Sequence, residues 1–255
     1  MTATALRTVL HYTAHSTWLT VRNVGFVIFS FTLPVIMYVL FSQMFGAAPA
    51  PSGVNYSAVI MVSMGSYGAL GAAMSGGAYL VVERRSGWFR QLSLTALPPR
   101  AFLWARAIVI MVLVLPSLVL VFAAGFLVGG VRAPIGVWLA SIGLIWLGLI
   151  PLAELGIAIG VWVKTEAVGG VNTILLLVLA LLGGLWMPMD LMPAALQAVG
   201  RLLPSYWVGE LGRFPFLPAG APFPWAGLAV LAGWAAVVTL LGALGYRRAV
   251  ATSKR

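Results

Sequence analysis

Few side chains in this sequence could do chemistry, and their spacing limits what that chemistry would be. His11 and His15 stand four apart, where two imidazoles on one helix face can share a metal ion. No third ligand lies near them, so a polar helix face at a membrane surface accounts for the pair better. Glu154 is the one carboxylate inside a long apolar run, and ionisable groups within a membrane mark ion pathways and relays. It could line a polar vestibule, pair across a dimer or bind a cationic substrate; equally, local backbone or water could satisfy it. Lacking a relay partner, it argues against a proton pump. The absence of cysteine excludes disulfides, thiolate metal sites and thiol nucleophiles. The apolar runs hold no paired carboxylates, metal-ligand cluster or serine–histidine pair, which disfavours a membrane-embedded enzyme. No Gly-x-x-x-x-Gly-Lys-Ser/Thr loop is present either, so the chain does not cradle nucleotide phosphates itself.

The elements that hold these residues are written in the charge pattern. Between Arg22 and Glu83 lie sixty residues without a charged side chain, and hydrophobic residues make up 62% of the chain against 8% charged. Hydrocarbon about 30 Å thick takes roughly 20 apolar residues of helix to cross, so that run holds two crossings and a turn. The fold class expected is all-α, a polytopic membrane protein with six crossings near Val24–Phe45, Ser57–Val82, Phe102–Gly129, Ile135–Val163, Gly169–Pro188 and Pro224–Tyr246. Pro34, Pro116 and Pro151 fall inside them and are expected to kink them. The +10 net charge does not point to nucleic acid, because no basic patch is interleaved with base-stacking aromatics. It follows from topology. One set of connecting segments carries twelve of the fifteen Lys and Arg residues and the other only Arg132, Arg201 and Arg213, which places both termini in the cytoplasm. Residues 1–23 read as an amphipathic interfacial helix, 24–250 as the membrane domain and 251–255 as a cytoplasmic tail.

Two segments break the pattern of simple crossings. The cytoplasmic stretch 83–100 mixes Trp88, Phe89 and Leu92 with Glu83, Arg84, Arg85 and Arg90. An aromatic core with a charged rim is how protein interfaces are built, so a docking helix is expected beside the plainer alternative, an interfacial anchor. The external stretch 189–223 is neutral in balance and rich in proline and aromatics. Its apolar helical face is too short to cross, which predicts a re-entrant pair of helices dipping in from outside. Trp186, Met187, Met189, Leu196, Leu203, Tyr206 and Trp207 gather there as candidate gate residues, with Glu154 as a candidate pathway residue.

The order of these features resembles the ABC type-2 transporter permeases, the membrane subunits of bacterial ATP-driven exporters. The resemblance is carried by an amphipathic N-terminal helix, two spans, Glu83-Arg84-x-x-Gly87 with Leu92 and Thr95, and four further spans. In the second half it is carried by Lys164-Thr165, Gly184-x-x-Met187-Pro188, Leu191-Met192-Pro193 and Leu203-Pro204-Ser205-Tyr206-Trp207 before Glu210-Leu211. Ala96 departs from it, since proline commonly follows the threonine in that family. The resemblance covers essentially the whole chain. It implies a permease in a bacterial cytoplasmic membrane, dimeric with a second copy or close paralogue and served by ATP-binding subunits. ATP and magnesium would sit on those partners, with no cofactor on this chain. Residues Glu83, Arg84, Arg85, Gly87, Trp88, Phe89, Arg90, Leu92 and Thr95 would couple to them. An amphipathic or apolar cargo (drug, lipid or glycolipid, as in multidrug efflux) would be exported. A membrane-embedded enzyme and a non-transporting scaffold are the alternatives.

Overall fold

A computed structural model describes residues 17–46, 54–85 and 99–253, with side chains described in these ranges except at 78–80, 82–85, 99–105 and 246–253. Within them the chain forms helices α1 (Val24–Phe45), α2 (Tyr56–Arg85), α3 (Pro99–Leu127), α4 (Ile135–Gly148), α5 (Ile150–Trp162), α6 (Val168–Leu182), α7 (Ala194–Gly200), α8 (Pro204–Arg213) and α9 (Trp225–Ser253). Helix is what lipid demands, because an unpaired backbone group has no water to turn to there. The starts of α1 and α2 are set by short polar side chains. Asn23 Oδ1 accepts from the Phe26 amide at 3.0 Å, and Asn55 Oδ1 accepts from the Ser57 amide at 2.9 Å.

Among the described residues, five helical stretches are long and apolar enough to cross a membrane: Val24–Phe45, Tyr56–Gly77, Arg106–Leu127, Ile135–Trp162 and Trp225–Gly245. The expected fifth crossing, Gly169–Pro188, is shorter. Helix α6 ends at Leu182, and its 15 residues span about 22 Å at 1.5 Å per residue. Gly184, at φ +70°, turns the chain out of the helix. The Leu185 amide bonds the Ala180 carbonyl at 2.9 Å and the Gly184 amide bonds that of Leu181 at 3.1 Å, a Schellman cap.

The three prolines act differently. Pro34 has no amide to give the carbonyl of Ser30. The preceding residues, Ile28–Thr32, are wound as a π-helix, and Ser117 Oγ of α3 donates to the Ser30 carbonyl at 2.7 Å. Pro116 lies within an unbroken α3. At Pro151 the fourth crossing divides into α4 and α5 at Leu149.

Helix α2 is the hub, packed against α1, α3, α5, α6 and α8. Glycines let neighbouring helices approach α2 closely. Gly156 of α5 lies 3.0 Å (measured to a Cβ placed on it) from the Ala73 and Met74 carbonyls of α2, and a Cβ on Gly77 would collide with the Gly156 backbone. Gly125 of α3 sits against Met61 of α2, and Gly129, two residues past the end of α3, against Tyr38 and Ser57. Small residues therefore bring α3 and α5 onto α2 from two sides. Helix α9 lies outermost, against α5 and α8.

Candidate functional site

At one end of the bundle, α2 runs through Glu83, Arg84 and Arg85 to its terminus and α3 restarts at Pro99. These are the two arms flanking the expected docking segment. Gly87, Trp88, Phe89, Arg90, Leu92 and Thr95 lie outside the described residues, as do His11 and His15; Glu83, Arg84 and Arg85 are described by backbone alone.

The other candidate region is built by α7, α8 and the chain leading into them. Pro204 opens α8 at its first turn, where its missing amide costs nothing and its φ suits a helix. Along α8, Pro204, Ser205, Val208, Gly209, Leu211 and Gly212 are buried, giving a short wedge with one apolar side. Ser205 Oγ donates to the Leu179 carbonyl of α6 at 2.6 Å. Ser141 Oγ of α4 donates to the Gly212 carbonyl at 2.7 Å. Gly148, the last residue of α4, packs on Val208 and Leu211. Ser141 and Gly148 lie about 9 and 20 Å along α4 from Ile135, at 1.5 Å per residue. The wedge thus flanks the middle of the fourth apolar stretch and covers the end of the shortened α6.

The sequence-predicted gate residues are only partly brought together. Trp186 stands edge-on to Tyr67 of α2, ring centroids 5.3 Å apart. Met189 packs against Gly184 and Gly200, joining the α6 cap to the end of α7. Leu203 packs on the core, while Met187 and Leu196 are exposed. Tyr206 and Trp207 meet edge to face at 4.9 Å, and Trp207 Nε1 donates to the Arg201 carbonyl at 2.8 Å. Glu210 and Arg213 form an ion pair on the same helix. Glu154 is not among them. It lies on α5, half-buried, and accepts from Thr239 Oγ1 of α9 at 2.8 Å.

The sequence has counterparts among known proteins. Residues 49–244 match the family described as ABC-2 family transporter protein, which is well over half of the chain. The chain belongs to the ABC-2 transporter family. It is also 31% identical over 221 residues to "Putative transport permease YvfS" of Bacillus subtilis (strain 168), covering 86% of this chain and 89% of that protein. An ABC-2 permease is a multi-pass membrane subunit of a transporter and works with ATP-binding subunits. The family match runs from before α2 into α9, so it includes both arms of the 83–100 segment and the whole of the α7–α8 wedge.

Sequence reasoning missed one residue of this permease outright. Arg106 enters the arginine tally as a topological charge, yet its side chain is 2% exposed and its Nη2 donates to the Gly76 carbonyl of α2 at 2.6 Å. The signal was available: an arginine that begins an unbroken apolar run is a charge inside a helix, where neighbours rather than water must receive it. The hydroxyls of Ser117, Ser141 and Ser205 carry no such signal, since serine is common in membrane helices for its size alone.

Proposed function

We propose that this permease is one half of an ATP-driven exporter in a bacterial cytoplasmic membrane, with six crossings, both termini cytoplasmic and amphipathic or apolar cargo moved outward. A second permease copy or close paralogue completes the path, and two separate ATPase subunits carry the ATP and magnesium. Family membership supports the permease role, and the twelve-to-three split of basic residues supports the orientation.

The observation that carries the export reading is the α8 wedge. A helix too short to cross, seated beside the middle of the fourth apolar stretch and over the end of α6, suits a plug re-entering from outside. Helix α6 and the α7–α8 hairpin then share the fifth crossing. Trp186, Met187, Met189, Leu196, Leu203, Tyr206 and Trp207 become the outer gate, and the apolar character of that set matches an apolar or amphipathic cargo such as a drug, lipid or glycolipid. At the opposite end, Glu83, Arg84, Arg85, Gly87, Trp88, Phe89, Arg90, Leu92 and Thr95 form the docking surface for the ATPase.

The test is co-expression with an ATP-binding cassette subunit, followed by affinity purification and by ATP-dependent accumulation of a rhodamine-type amphipathic dye in inside-out vesicles. The intact permease retains the ATPase. The Trp88→Ala, Phe89→Ala double variant releases it while the membrane domain still migrates as a folded species, because truncating an anchoring aromatic costs about 2 kcal/mol or more at an interface hot spot. Unchanged co-purification would make 83–100 a membrane anchor. ATP-dependent loss of dye from the vesicles would reverse the direction.

A further inference from the structure

Arg106 begins the apolar part of α3 and is buried. Arginine is almost never fully buried without partners, and a residue serving only as a topological charge would reach out to the interface along its flexible stem. This one instead turns inward to the Gly76 carbonyl, 2.6 Å away on α2. A charged donor makes such a bond stronger than an ordinary one. One turn further along α3, Ile110 closes on the same glycine: a Cβ placed on Gly76 would lie 3.0 Å from Ile110 Cγ1. Gly76 therefore does two things for α3. It leaves room for Ile110 and offers its carbonyl to Arg106. From this point α2 continues to Arg85 and α3 reaches back to Pro99, so the contact lies just inside the two ends that bracket the docking segment.

We propose that Arg106 is a positioning residue that pins the two arms of the coupling hairpin, α2 and α3, so that they move as one lever when an ATPase acts on the segment between them. The inference rests on the reading of 83–100 as the ATPase-docking surface. A hairpin pushed at its tip can turn as a unit, or its arms can part and absorb the motion. Apolar packing alone resists parting weakly in a membrane, because lipid tails replace the lost contacts. They cannot replace a carbonyl acceptor for a guanidinium. With the arms held, displacement passes into α2, whose packing on α1, α5, α6 and α8 distributes it through the bundle.

The experiment uses the full permease–ATPase complex in lipid vesicles and reads the permease-dependent part of ATP hydrolysis. Arg106→Met keeps the length of the side chain and removes the donors. It is expected to co-purify with the ATPase yet lose permease-dependent hydrolysis by at least about fivefold, the low end of measured coupling between sites. Arg106→Lys, which can still donate to Gly76, retains most of it. A covalent pin should substitute for the polar one. A Cβ on Gly76 would stand 3.7 Å from that of Ile110, within the roughly 3.5–4.5 Å that a disulfide requires. In Gly76→Cys with Ile110→Cys these are the only cysteines in the chain. Oxidising the pair in the Arg106→Met background restores hydrolysis, and oxidising it with Arg106 intact leaves hydrolysis unchanged. Normal coupling in Arg106→Met overturns the proposal, as does a loss that the disulfide fails to repair. Inhibition by the disulfide with Arg106 present overturns it independently, since the arms would then have to part during the cycle. A wild-type permease that neither binds nor stimulates the ATPase removes the docking reading itself, and the lever with it.

Discussion

Helices α2 and α9 are both long enough to cross a membrane, yet they stand in opposite surroundings. In the most apolar part of Tyr56–Gly77, 94% of residues are buried within the subunit; in that of Trp225–Gly245, 17% are. The buried helix is the less apolar of the two by composition. Its inner faces are Gly65, Gly68, Ala69, Ala72, Ala73 and Gly76, whereas α9 displays Leu228, Val237, Leu240, Leu241 and Leu244 outward. In water, burial tracks hydrophobicity. In lipid the solvent is itself apolar, so what distinguishes an interior helix is small side chains that admit close neighbours and hydroxyls that find carbonyls.

The largest expected effect tests that contrast with one type of substitution at two glycines. At Gly77 a first side-chain atom already collides with the Gly156 backbone, whereas at Gly242 of α9 nothing lies within 4 Å. Gly77→Leu must force α2 and α5 apart and is expected to cost about 3 kcal/mol or more, seen as loss of the monodisperse folded peak in detergent. Gly242→Leu is expected to leave that peak and its melting temperature unchanged. Equal tolerance at both sites would break the account of α2 as a helix packed by close backbone approach.

A middle-sized effect concerns the wedge that leans on both. Ser205 Oγ holds α8 to the Leu179 carbonyl of α6 at 2.6 Å. Ser205→Ala removes this tie with little change of volume, so a destabilisation of about 1 kcal/mol is expected, read as a lower thermal midpoint in detergent. If α8 forms the outer gate, the same variant loosens it, and ATP hydrolysis continues with less export per ATP. A variant with a lowered midpoint and unchanged export would keep the contact structural and remove the gate from α8.

Much of this was legible in the sequence. Long uncharged runs specify crossings because lipid admits nothing else, and five such stretches were found where the charge pattern puts them. The fifth was overdrawn because Leu185, Trp186 and Met187 continue its apolarity past Gly183–Gly184, where backbone geometry and not hydrophobicity ends the helix. Gly125 and Gly129 stand four apart, as do Gly156 and Gly160; such spacing encodes close approach and not the neighbour, so α2 could not be named from it. Arg106 was legible as a charge and hidden as a contact. Its acceptor is a backbone carbonyl, and a carbonyl leaves no trace in the identity of Gly76. The α7–α8 region was legible as an apolar, proline-bounded segment; its seat against Ser141, Ile145 and Gly148 of α4 was not, because that contact pairs elements some seventy residues apart.

The smallest effect expected lies where α9 is tied to the rest. Among the described residues, polar contacts that hold this otherwise outward-facing helix include Trp162 Nε1 to the Leu241 carbonyl at 2.9 Å, Trp234 Nε1 to the Leu202 carbonyl at 2.9 Å, and Thr239 Oγ1 to Glu154 at 2.8 Å. Thr239→Val keeps the shape and removes the donor that Thr239 gives to Glu154. Side-chain hydrogen bonds between membrane helices average about 0.6 kcal/mol, so a small loss of stability is expected, with the subunit still folded and still bound to its ATPase. Glu154→Gln separates the two roles open to this carboxylate. As a structural acceptor Glu154 is replaceable, because glutamine keeps a carbonyl oxygen for Thr239, and transport of neutral and cationic dyes should then be equally preserved. A selective loss of cationic dye transport in Glu154→Gln, with the melting temperature unchanged, would move Glu154 from the packing of α9 to the substrate path. It would also make the face between α5 and α9 part of the interior that α2 otherwise defines.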